Sequence, residues 1–312
     1  MKGLTAMAIS VYMSGEKIKI AVGSGGAASL NVSALYDLPL DEASPVGGVL
    51  TPESGITDKL SEIWKSYSFP RSGVKLTVDS AQFYLKPLRL PKLSDKKLLA
   101  MISHEFTENN SFELPIIDYK VLRRNLKNID IVAAAVEKSF IESYISAFSA
   151  AGIKLSSVDC AVCSALDFFM GIKSIAKKTY IAELTEGDTL QSVLVCDGIY
   201  RYSRRARLFS EPGSPDYAAE IGRTVSAILQ FHASEKIESR VENIYFCGLA
   251  SEYADAVIDG VKNTYGIAAS LPPPDSNYRI ASVVTTENGV SEAKAGDYVA
   301  ICGNLMSGRT LK

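Results

Sequence analysis

Histidine is almost missing from this chain: His104 and His232 are the two it has in 312 residues. A histidine-built metal centre or a His-dependent catalytic triad therefore has almost nothing to be made from. His104 follows the Leu99–Ile102 stripe of a helical stretch, where a structural histidine is the default. Cysteine is scarce and scattered, at 160, 163, 196, 247 and 302. Cys160-x-x-Cys163 has no second pair to complete the four ligands of a structural zinc, so no metal site is expected. The five are read as reduced, mostly buried thiols of a cytosolic protein. Neither sign of charge is in excess: 33 Lys+Arg against 35 Asp+Glu leave a formal −2. That gives no electrostatic reason to expect nucleic acid or an anionic membrane surface as partner. No apolar run approaches the ~18 residues of a membrane span. Met1-Lys2-Gly3 leads into alternating apolar and small residues instead of an unbroken apolar stretch with a cleavage site. Neither direct membrane insertion nor export is expected, and any membrane association has to come through a partner.

What is present is a repeated plan. A chain of 312 residues is long for one core, so two lobes are the prior. Thr179–Leu208 contains three strand-like runs, Thr179–Leu184, Gln191–Cys196 and Ile199–Leu208, joined by the turns Thr185–Asp188 and Asp197-Gly198. Asp-Gly between apolar runs is a hairpin signal, because both central positions of a type I′ turn need φ > 0. The same design opens the chain: Ala6–Met13, a turn at Ser14-Gly15-Glu16, Lys17–Gly23, a Gly-rich turn, then Leu30–Leu38. Two such meanders suggest an internal duplication.

Between them, helical spacing predicts helices over Ile56–Tyr67, Ser94 to about Glu108 and Ser139–Ala151. Strands are expected at Val74–Val78, around Phe83–Leu90 (interrupted by Pro87), at Asp118–Leu122 and at Asp130–Val136. Val158–Cys163 then leads into a helical stretch reaching Met170. After the second meander come a helix from Pro215, a strand at Asn243–Cys247, a helix over Glu252–Tyr265 and a last helix over Tyr298–Met306. Trp64, Tyr67 and Phe69 are read as core. Arg201, Arg204, Arg205 and Arg207 are read as a solvated sheet face, with contact to an acidic partner the alternative.

Three strands, helix, strand, helix, occurring twice, is the plan of the actin-like fold. Leu88–Asp118 (LRLPKLSDKKLLAMISHEFTENNSFELPIID) resembles the PilM family of actin-like type IV pilus assembly proteins. That family has, in order, LP, a Ser-Asp-Lys helix start, a Glu-rich helix end, Pro and Asp-Tyr. Ile131–Leu166, Asp197-Gly198 through Arg204-Arg205, Gln230-Phe231, Ile244–Gly248 and Ala300–Leu305 also fall in family order. The resemblance implies an α/β, actin-like (ribonuclease H-like, duplicated) two-lobe fold with an inserted α+β subdomain in the first lobe, as in the cell-division relative FtsA. The expected divisions are 1–82 (first lobe), 83–157 (inserted subdomain), 158–178 (rest of the first lobe), 179–296 (second lobe) and 297–312 (helix and tail returning to the first).

Proteins of this fold hold ATP-Mg²⁺ between two turns. The family's first turn resembles Ile-Asp-Ile-Gly-Ser-Ser-Ser-Val-Lys. Laid on Val11–Lys19 it puts Tyr12 at the Asp position, Ser14 at the glycine and Glu16 at a hydroxyl. On Ala182–Gly187 the second turn, Val-Asp-Ile-Gly-Ala-Ser, puts Glu183 at the Asp and Thr185 at the glycine. A third element, Gly-Gly-Gly-Ala, is reduced to Cys247-Gly248-Leu249-Ala250. Cβ atoms replace a phosphate cradle, and carboxylates ~4 Å from a polyanion repel it by roughly 4 kcal/mol per charge pair. The vestigial nucleotide positions are Ser14, Gly15, Lys17, Glu183, Thr185, Gly187, Gly248 and Leu249. Lys17 is otherwise a solvated strand lysine and Gly23-Ser24-Gly25-Gly26 a flexible turn. No catalytic residue and no cofactor are expected, ATP-Mg²⁺ being disfavoured.

The resemblance further implies a cytoplasmic scaffold of a type IV pilus, competence or type II secretion-like platform. Its expected partner is the N-terminal cytoplasmic tail of a PilN-like inner-membrane pilus assembly protein, held in a groove at Phe83, Tyr84, Leu85, Ile117 and Tyr119. Contacts with a motor ATPase and with further copies of the chain are also implied. The alternatives are an ATP-binding switch of the same machinery and a sugar- or acetate-kinase-like phosphotransferase.

Overall fold

In the computed structural model, which describes residues 7–51, 55–107 and 112–308, the first meander is β1 (Ala8–Met13), β2 (Lys17–Gly26) and β3 (Ser29–Pro39). α1 (Ile56–Ser66) follows, burying Ile56, Leu60, Ile63 and Trp64 on one stripe, and β4 (Ser72–Val78) returns parallel to β1. Next come β5 (Tyr84–Pro91), α2 (Asp95–Thr107), β6 (Pro115–Arg124), β7 (Asn128–Glu137), α3 (Lys138–Ala150), β8 (Lys154–Cys160) and α4 (Ala161–Gly171). The second meander is β9 (Tyr180–Glu186), β10 (Thr189–Cys196) and β11 (Ile199–Arg207). Asp197 and Gly198 between the last two both have positive φ, 52° and 73°, as the hairpin signal requires. α5 (Pro215–Ser234), β12 (Asn243–Cys247), α6 (Ser251–Tyr265) and β13 (Ala268–Ser270) complete the repeat. Three short strands, β14 (Tyr278–Arg279), β15 (Val283–Thr286) and β16 (Gly289–Glu292), precede α7 (Val299–Met306).

The first sheet runs β16-β15-β3-β2-β1-β4-β8, with β14 also on β3; the second runs β11-β10-β9-β12-β13; a third, small sheet is β5-β7-β6. Alternation along β1 sends Ile9, Val11 and Met13 into a core shared with α1 and α3, and Tyr12 to the opposite face. In the second sheet Ile181, Leu194 and Phe246 pack under α5 and α6, while Tyr180, Ala182 and Tyr245 face the other way. The two inner faces meet across one apolar layer built from α4 and α7. Phe169 of α4 lies 5.6 Å from Tyr180 and 6.1 Å from Tyr245, tying that layer to the second sheet. α2 covers one face of the small sheet through Leu98, Ile102 and Phe106.

Several stretches sit elsewhere than their local sequence suggests. α3 and the first half of β8 (Lys154–Ser157), read as part of the 83–157 insertion, belong to the first sheet's core and ladder. β14 and β15, within the stretch assigned to the second lobe, pair with β3 of the first sheet. Gly23 to Gly26 are strand residues of β2, not a turn, and α7 lies directly against Gly25. Pro87 does not interrupt β5, because β5 has a single partner, β7, and an edge strand tolerates a missing donor.

The α4–α7 contact has no slack. A Cβ on Gly303 would stand 1.7 Å from the carbonyl oxygen of Ser164. Gly303→Ala is expected to lower stability by about 2–3 kcal/mol, seen as a lower urea midpoint with unchanged slope; an unchanged midpoint would mean the two helices can part at no cost.

Candidate functional site: the cleft between the two sheets

The inner face of the first sheet brings Tyr12 of β1 opposite Lys19 of β2 and places Asp79 just beyond β4. The second sheet contributes Thr185 and Glu186 at the end of β9, and the loop before α7 contributes Asp297. They line a half-open cavity of about 40 Å³, room for two or three waters and far below the roughly 300 Å³ of the smallest ligand pockets.

Two ion pairs cross this gap. Lys19 Nζ binds the Glu186 carboxylate and also donates to the Asp297 carbonyl at 3.1 Å. Its side chain is only 9% exposed. Burial works against the Lys19 ammonium, yet Glu186, Asp37 and Asp297 together raise its pKa. Arg205 of β11 binds Asp79 and donates to Thr189 Oγ1 at 3.3 Å. Burial raises the Asp79 carboxyl in spite of Arg205, and it lifts the Tyr12 phenol beside Asp79 still further from ionisation. Each pair joins one sheet to the other.

The residues expected at a vestigial nucleotide site are dispersed. Ser14 closes the β1–β2 turn, its amide and Oγ both directed to the Lys17 carbonyl, at 3.1 and 3.2 Å. Gly15 is exposed beside it. Lys17 is half in solvent and lies 3.5 Å from Asp37. Thr185 alone of the set lines the cavity. Gly187, at φ 56°, shapes the exposed β9–β10 turn, and Leu249 is buried under α6 in the second lobe's outer core. Gly248, at φ 77°, is pressed against the chain itself: a Cβ there would stand 1.9 Å from the Thr185 carbonyl. Glu183 is fully buried; Ser192 Oγ donates to its Oε2 at 2.6 Å, and Oε1 has no partner among the described residues. Burial pushes its carboxyl up to about 8, the Ser192 hydroxyl working the other way.

The expected peptide groove is divided by the small sheet. Phe83, Tyr84 and Leu85 line an open groove of about 270 Å³ between that sheet and β11. Ile117 and Tyr119 lie on the sheet's other face with the α2 core, where the Tyr119 hydroxyl donates to Asp95 at 2.9 Å. Asp159, Cys160 and Cys163 come within 4.8 Å of one another, all buried. Their polar atoms serve the start of α4: the Cys163 amide donates to Cys160 Sγ at 3.4 Å and the Cys160 amide to Asp159 at 2.9 Å.

No protein-family model and no curated protein matches the sequence. Solved structures do. A chain of a PilM-PilN type IV pilus biogenesis complex superposes with a TM-score of 0.72, covering 96% of this chain and 98% of that one at 13% identity. A Bacteroides thetaiotaomicron protein described as having an actin-like ATPase fold and unknown function matches at 0.50, 11% identity, with 88% and 94% covered. The fold is actin-like. The cytoplasmic domain of EpsL, an inner-membrane component of the Vibrio cholerae type II secretion system, also matches at 0.50, 12% identity, with 98% and 97% covered. Among the described residues, no helix is long and apolar enough to cross a membrane.

Set in the actin-like frame, the cleft is crossed by Lys19 and Asp79, which sequence reasoning passed over, and by Arg205, which it read as part of a solvated sheet face. Lys19 and Lys17 share one parity of β2, and only the ladder shows that Lys19 is the one opposite Tyr12. Asp79 follows an apolar strand, a signal that was legible. Arg205 could be placed on a face by alternation, but what it faces could not.

Two outcomes test this electrostatic arrangement. Lys19→Met and Glu186→Gln are each expected to destabilise by about 3–5 kcal/mol, because each leaves one buried partner unpaired. The double variant should lose clearly less than the sum; additive losses in urea unfolding would show that the pair is not coupled. Glu183 carries a pH signature. Its carboxyl in the unfolded chain ionises near the ordinary 4.5, and in the fold near 8. Between those values the folded state holds a proton that the unfolded state lacks, so stability falls as pH rises through the window. Glu183→Gln should flatten that fall when unfolding is measured at pH 5, 7 and 9; an unchanged slope would assign it to other groups.

Proposed function

We propose that this chain is a non-hydrolysing actin-like scaffold of a type IV pilus or type II secretion-like platform, acting at the cytoplasmic face of the inner membrane through a membrane-anchored partner. The observation that carries the first half is the cleft bridged by Lys19–Glu186 and Asp79–Arg205. A metal-bound nucleotide does not fit these residues. The cavity has room for a few waters, and the lysine at its wall is taken by a carboxylate. Glu183, which the resemblance sets at the place of a metal- or water-orienting aspartate, is fully buried and does not line the cavity.

The second half is supported by the likeness in shape, over nearly the whole chain, to a protein solved together with PilN and to the cytoplasmic domain of EpsL. The partner is the short N-terminal cytoplasmic tail of a PilN-like membrane protein, bound beside Phe83, Tyr84 and Leu85. Contacts with a motor ATPase and between copies of the chain belong to the same proposal.

Titration with ATP-Mg²⁺ followed by calorimetry and thermal shift should give no saturable heat and no stabilisation. Ligand at a hundredfold excess over its Kd would contribute about 2.7 kcal/mol, so micromolar binding could not be overlooked and would restore an ATP-dependent switch. In parallel, a synthetic tail of the neighbouring inner-membrane protein is expected to bind the full chain with micromolar affinity; absence of binding at high micromolar concentration would remove the platform assignment.

A further inference from the structure

β11 contains one residue too many for its partner. Its register against β10 shifts so that Leu194 faces Tyr202 and Val195 faces Tyr200, which leaves Arg201 as the extra residue of a bulge. A bulge re-aims the side chains around it. Tyr200 enters the apolar layer between the sheets, whereas Tyr202 stacks on Phe231 of α5 with ring centroids 4.2 Å apart. Arg201 between them lines the groove that separates β11 from the small sheet. It stands where a narrow compartment of about 270 Å³ meets a wider one of about 620 Å³.

Its Nε is buried and has no hydrogen-bond partner among the described residues. Other groove arginines are engaged: Arg205 with Asp79, and Arg89 Nε at 3.9 Å from Asp130. An unmet buried donor is costly, and a guanidinium offers its donors as a fork matched to a carboxylate. Around Arg201 the narrow compartment is walled by Phe83, Leu85, Pro87 and Val162. β11 is the last strand of its sheet, so its outer backbone edge is unpaired among the described residues and open to an added strand.

We propose that this groove is a docking site for an extended acidic peptide, which lies along the free edge of β11 and seats one carboxylate on Arg201. Asp197, Glu235 and Glu238 line the wide compartment. Arg89, Lys236 and Asp130 line it too, so charge is mixed there, and Arg201 is the groove arginine without a carboxylate of its own among the described residues. The inference rests on the assignment of the partner site to this groove, and it adds the chemistry that the partner must carry.

The test pans a displayed library of random heptapeptides against the full chain. Enriched peptides should share one Asp or Glu among apolar neighbours. A synthetic peptide from that set should bind about tenfold or more tightly than its Glu→Gln counterpart. Arg201→Gln, checked for an unchanged melting temperature, should bind both peptides alike. Enriched peptides with no shared acidic residue, or equal binding of the two peptides to the unaltered protein, would overturn the proposal however the variant folds. Acidic peptides that bind where the pilus-protein tail does not would leave the groove standing and refute the pilus assignment alone; the reverse result would refute the groove.

Discussion

Two charges on each side of a cleft, each paired with its opposite, are the constraint on which the rest of this structure depends. Taking a lysine and a glutamate out of water costs several kcal/mol per ion, and the attraction between them offsets that only when both are held in good geometry. Here the holders are sheets. Lys19 and Tyr12 are register partners in one ladder, and Glu186 ends a strand in the other. Beneath the ion pairs, α4 and α7 fill the gap between the sheets with an apolar layer anchored by Phe169, Tyr180 and Tyr245. The two lobes of an actin-like fold are thus fastened together at the place where the fold otherwise offers a ligand cleft.

Polar side chains persist on the inner face of the first sheet and are consumed internally. Thr77 Oγ1 meets Ser164 Oγ at 3.1 Å, and Ser164 reaches Asp159 at 3.3 Å. Lys75 Nζ donates to the carbonyls of Asn304 and Ser307, satisfying the open end of α7. Groups that could have met a solvated ligand instead bind helices to the sheet. Glu183 shows the same tendency in the second sheet, buried beside Ser192 with its carboxyl pushed up by that burial.

With the central cleft closed, the open volume lies to one side, between the small sheet and β11. That division of labour is physically consistent. Rigid lobes fix the relative position of the small sheet and of β11, and a groove between two fixed elements costs little ordering when an extended chain enters it. The bulge at Arg201 would be a defect in a central strand; on an edge strand it aims a cation into that groove.

The sequence by itself determined the repeated strand meanders, the positive-φ hairpin turn at Asp197-Gly198 and the buried stripes of α1, α3 and α5. All of these are local: a turn's dihedral demand or a 3.6-residue period is written within a few neighbouring residues. Only the tertiary structure decided that Lys19 rather than Lys17 guards the cleft, that β14 and β15 cross back to β3, and that Ile117 and Tyr119 lie behind the sheet whose front carries Phe83 and Leu85. Each of those depends on which distant strand lies alongside. A strand's alternation names two faces without saying what will cover either, and the partner that settles it is more than a hundred residues away in the case of Lys19 and Glu186.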